Sequence, residues 1–107
     1  MRSGVPLLGP VSSDKTPPAI TNVVITQLAV DQVQITWNTS EPTLGVVKFG
    51  SAATNYSRWS EIENAYTLQH TAVLPDLERG KAYHFSITVR DQAGNQMSTL
   101  DALLGTQ

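Results

Sequence analysis

His70 and His84 are the only imidazoles in the chain, and no cysteine accompanies them. Nucleophilic catalysis needs a base within hydrogen-bond reach of a Ser, Thr or Cys, so such chemistry would have to run through one of these two rings. Their places in the surrounding alternation point elsewhere. His84 lies between Tyr83 and Phe85 and is expected to face solvent; His70 is in phase with Ala72 and Leu74 and reads as a core-edge histidine satisfied by backbone. Zinc, haem and EF-hand calcium also lack a motif, because there is no paired-histidine spacing, no Asp-x-Asp-x-Asp-Gly loop and no thiol. No catalytic residue, metal ligand or cofactor is assigned.

The carboxylates are dispersed. Glu41, Asp76, Glu78 and Asp91 fall at turn positions, where they make local hydrogen bonds and aid solubility. Glu61 and Glu63 sit on a polar connecting stretch and read as charges that guard a sheet edge against strand addition. The run Asp91-Gln92-Ala93-Gly94-Asn95 has the composition of a ligand loop. It is better explained as a turn between two strands, with Gly94 or Asn95 at positive φ.

Three aromatic residues remain as candidate ligand or partner contacts: Tyr56, Trp59 and Tyr66. A tryptophan on a short polar strand either covers the edge of a sheet or stands exposed, where an aromatic cluster can stack a sugar or anchor a protein. Asn38-Thr39-Ser40 and Asn55-Tyr56-Ser57 match the glycosylation triplet, which matters only in a secreted eukaryotic chain.

At 107 residues with a formal charge of −2, the chain is expected to form one domain that folds without disulfides. Seven scattered Lys and Arg residues provide no basic patch, so neither nucleic acid nor an anionic membrane is an expected partner. The missing cysteine leaves the redox compartment open. No apolar run has the length of a membrane span, and Val5-Pro6-Leu7-Leu8 is too short and too broken for a signal core. Residues 1–16 are rich in Gly, Ser and Pro and read as a linker or tail. Pro17-Pro18 closes that segment, and residues 17–107 form the expected domain.

From Ala19 onward the apolar residues recur with a period of two, the mark of strands with one face buried. Val33, Ile35 and Trp37 alternate with Gln32, Gln34 and Thr36, and Tyr83, Phe85, Ile87 and Val89 alternate with His84, Ser86, Thr88 and Arg90. Strands are expected over 20–26, 32–37, 46–49, 56–61, 67–74, 83–90 and 96–104. The predicted core is Ile20, Val23, Ile25, Val33, Ile35, Trp37, Val47, Phe49, Ala72, Leu74, Leu77, Tyr83, Phe85, Ile87 and Val89.

Leu77, Gly80 and Tyr83 lead into the best of these strands. A Tyr after a Gly-bearing corner resembles the tyrosine corner of immunoglobulin-like sandwiches, in which the hydroxyl bonds upstream backbone. The wider pattern resembles a fibronectin type III module over residues 16–107, and most resembles its bacterial and purple-acid-phosphatase-associated branch. The resemblance rests on Pro17-Pro18-Ala19-Ile20, Trp37 followed by Thr39-Ser40-Glu41-Pro42, Val47-Lys48-Phe49-Gly50, the stretch from His70 to Leu77, and Gly80 to Asn95. Arg79 departs from it where Pro is usual, and Trp59 departs from it where small polar residues are usual.

The resemblance implies an all-β, seven-stranded sandwich of two antiparallel sheets, with Trp37 between them and Leu77, Gly80, Tyr83 and Gly94 in structural roles. It also favours Trp59 as an edge cover, since Tyr56 follows Gly50 at a spacing that in the family closes over the core. Such modules are non-catalytic spacers, domain-packing units or interaction units of larger, commonly extracellular chains. The implied partners are neighbouring domains, with a carbohydrate or protein ligand as the alternative. If the parent is a metallophosphatase, its metal ligands lie outside this chain.

Overall fold

The computed structural model describes residues 16–105, so the linker expected over 1–16 lies outside the described residues except for Thr16. Seven strands follow in order: β1 (Ile20–Ala29), β2 (Gln32–Gly50), β3 (Arg58–Trp59), β4 (Thr67–Leu74), β5 (Ala82–Asp91), β6 (Gln96–Ser98) and β7 (Ala102–Gly105). All pairings are antiparallel.

The expected second and third strands are one strand of 19 residues. Its odd positions are buried on both sides of Glu41-Pro42, so the same face of the chain looks inward throughout. Before this point β2 pairs with β1 and β4; after it, apart from Thr43 opposite Thr67 of β4, β2 pairs with β3 and β5, and β5 carries β6 and β7. A single strand thus passes from a layer of three strands (β1, β2, β4) into one of five (β2, β3, β5, β6, β7), in which the short β6 and β7 both pair with β5. The register slips between Asn38 and Thr43. Pro42 occupies that slip, where its missing N–H costs no ladder bond.

The core is one cluster fed by both layers. Val33, Ile35, Trp37, Ala72 and Leu74 meet Val47, Phe49, Leu77, Tyr83, Phe85, Ile87, Val89 and Leu104. Three members of the expected list need correction. Val23 and Ile25 are 41% and 44% exposed, and Ile20 is only partly buried against the cluster. Ile25 pairs with the buried Ile35 and so points inward, but β1 is an edge strand and the facing layer does not extend over it. A bulge between Thr21 and Val24, with Asn22 at φ 55°, turns this edge further.

The expected 96–104 strand is also split. Thr99 interrupts it by accepting the Ile87 N–H at its Oγ1 (3.0 Å), giving its own N–H to the Ile87 carbonyl (2.9 Å) and accepting the Ser86 hydroxyl at its carbonyl (2.7 Å). The short strand expected over 56–61 is reduced to two residues.

Candidate functional site

At the corner, Gly80 adopts φ 76° and Tyr83 is buried. The Tyr83 hydroxyl accepts the backbone N–H of Glu78 at 2.7 Å, while Leu77 is held by its own N–H to the Asp31 carbonyl at 2.9 Å. The hydroxyl therefore satisfies a donor near Leu77. At the β5–β6 turn Gly94 has φ 92°, and the buried Asp91 carboxylate accepts the Asn95 N–H (2.8 Å) and the Asn95 side-chain amide (3.1 Å). Burial opposes the charge on Asp91, but these hydrogen bonds outweigh it and hold the carboxyl below its usual range.

His70 is buried, as its phase required, but its partners are side chains rather than backbone. Its Nδ1–H donates to both oxygens of Glu63 (2.7 and 3.0 Å), and its Nε2 lies 3.0 Å from Thr39 Oγ1 and 3.1 Å from Thr43 Oγ1. Trp37 stacks on the ring at 5.2 Å between centroids and an interplanar angle of 6°. The indole N–H of Trp37 is buried and has no hydrogen-bond partner among the described residues. Glu63 is therefore a core-side acceptor and not an edge guard.

Hydroxyl, imidazole and carboxylate in line is the arrangement that activates a nucleophile. Here Thr39, Thr43 and His70 are all buried, so the hydroxyls do not meet a substrate in solution. Thr39 also spends its proton on the Glu41 carbonyl at 2.8 Å. The group fastens the loop after β3 to the core.

His84 does not face open solvent. Its Nδ1 bonds Asp101 Oδ2 at 2.7 Å, and the other oxygen of Asp101 accepts the Tyr56 hydroxyl and, at 3.2 Å, the Thr54 N–H. The Tyr56 and His84 bonds hold the Asp101 carboxyl below its usual range. Burial and the adjacent carboxylate push the Tyr56 hydroxyl up to about 12. Tyr56 is thereby tied down as a latch between the Ser51–Asn55 turn and the stretch before β7.

Trp59 is 58% exposed, which corrects the expectation that it covers the edge. It pairs with Lys48 across β2 and β3, and the Lys48 ammonium lies 5.3 Å from the ring centroid. Backbone bonds from Ser60 N to Val47 O (2.8 Å) and from Glu63 N to Gly45 O (3.2 Å) continue the edge beyond β3 and present Ile62 at 63% exposure. Two open grooves flank this segment. One, of about 610 Å³, runs from Trp59 through Asn64 to Thr71; the other is lined by Ile62, Leu44, Val46, Thr88 and Arg90. Tyr66 is 37% exposed at the head of β4. Among the described residues no ring contact joins Tyr56, Trp59 and Tyr66, so the expected aromatic cluster resolves into a latch, a ridge and a separate tyrosine. Ile62 went unnoticed in the sequence because it has no alternation to place it.

No protein-family model matches the sequence, and no curated protein matches it. Among solved structures, the chain is similar to the third fibronectin III domain of the human KIAA0343 protein, determined in solution. The TM-score is 0.57 at 15% identity, over 99% of this chain and 93% of that one. Together with the two layers and the tyrosine corner, this gives the chain a fibronectin type III fold, an immunoglobulin-like all-β sandwich. Among the described residues no helix is long and apolar enough to cross a membrane.

Proposed function

We propose that this domain is a non-catalytic module of a larger, extracellular chain, a spacer and packing unit that contacts a protein neighbour through the Trp59–Ile62 ridge. The carrying observation is the exposure of two large apolar side chains, at 58% and 63%, on one short edge segment between two grooves. Large exposed apolar groups rimmed by polar residues suit a partner surface. A bacterial or phosphatase-associated parent fits this reading, with the metal chemistry in another domain.

A glycan is the second reading, since an exposed indole face stacks sugars. Lys48 over one face of Trp59 and the branched Ile62 beside it favour a protein side chain over a flat ring. Trp59→Ala should leave stability within about 0.5 kcal/mol and remove binding to the flanking domain. Titration of the unaltered domain with oligosaccharides, followed by Trp59 fluorescence, separates the two readings. A loss of several kcal/mol in stability, with no binding by either route, would overturn both.

A further inference from the structure

The layer formed by β1, the first half of β2 and β4 carries no Asp, Glu, Lys or Arg in any of its strands. The strand charges all lie in the other layer or at the Pro42 crossover, at Glu41, Lys48, Arg58, Arg90 and Asp91. On the outer face of the uncharged layer the pairing builds complete rows. Val24, Thr36 and Thr71 form one, and Thr26, Gln34 and Val73 the next. A third row, across Asn38, is uncharged as well. Charged residues make up 15% of the chain, so nine outward positions filled at that rate should hold one or two. Val24 and Val73 meanwhile stand 52% and 42% exposed.

We infer that this face stacks on the same face of a second copy of the chain. A two-fold contact sets every group near its own counterpart, which a charged face resists and this one does not. Threonine, glutamine and asparagine supply both donors and acceptors and so complement themselves. The free edge of β1 is the lesser route. Register shifts between Thr21 and Val24 and between Gln27 and Ala29 leave only a short regular ladder there, the usual defence of an edge.

Area sets the strength. Three strands at ~4.8 Å spacing and six residues at ~3.3 Å each give a footprint of roughly 300 Å² per copy. Stable complexes bury about 1,200–2,000 Å² in all. The pairing is therefore weak and transient, with dissociation in the high micromolar to millimolar range, and acts where copies are held close.

The test is backbone-amide NMR of the chain from micromolar to millimolar concentration. Concentration-dependent shifts should be confined to β1, the first half of β2 and β4, and should be insensitive to salt. Thr36→Lys and Thr36→Glu should each weaken self-association about tenfold or more, and mixing the two variants should restore it. Thr71→Lys with Thr71→Glu provides a second pair should the first misfold. Absence of concentration dependence in the unaltered chain, shifts on the other layer, or no rescue between folded variants would each overturn the inference, whatever else binds this face.

Discussion

At the scale of single residues, Tyr83 shows how one polar atom fixes a corner. Its ring is core and its hydroxyl receives the Glu78 N–H, so the group left orphaned on its removal is a donor. Tyr83→Phe keeps the packing and removes only that acceptor. It should lower unfolding free energy by roughly 1–3 kcal/mol, measured by urea denaturation, with faster amide exchange at Glu78. An unchanged midpoint would mean that water already serves the amide. The Leu77–Gly80–Tyr83 spacing made this corner legible in the sequence. The partners of His70 and His84 were not legible, because Glu63 lies in an irregular segment and Asp101 is 17 residues from His84. Period-two alternation says which side a histidine faces, not which loop folds over it.

At the scale of elements, β2 organises both layers, and Gly45 is where they press hardest. A Cβ there would lie 2.8 Å from Trp37 Cζ2 and 3.2 Å from Glu63 Oε1. Trp37 cannot yield, being stacked on His70 and fully enclosed. Gly45→Ala should therefore destabilise by about 1–3 kcal/mol, as overpacking does, and shift the His70 ring resonances as Glu63 is pushed away. Full stability with unmoved resonances would show that the layers are looser than they stand. The odd-position run through 33–37 and 47–49 was plain in the sequence. Its continuity across Glu41-Pro42 was hidden, since a proline ordinarily ends a central strand. Exposure of Val23 and Ile25 was hidden for a related reason: alternation assigns a face, while coverage depends on how far the other layer reaches.

At the scale of the whole molecule, the two layers differ in charge yet share a single core, so neither has a hydrophobic cluster of its own to fold around. Leu74 in one layer and Phe85 in the other are 0% and 3% exposed. Leu74→Ala should cost about 2–5 kcal/mol and Phe85→Ala about 3–5 kcal/mol, a large share of a small domain's stability. Because β2 belongs to both layers, each substitution should move one shared transition rather than split it. Far-UV circular dichroism reports the strands as a whole. Fluorescence in a Trp59→Phe background reports Trp37 alone, at the junction of the layers. The two melting curves should coincide in the parent and in both variants, with a β-type spectrum throughout. If in Leu74→Ala the Trp37 fluorescence, which reports the first layer, is lost ahead of the far-UV signal of the strands as a whole, the layers are separable units, and the passage of β2 between them is a tether and not a shared spine.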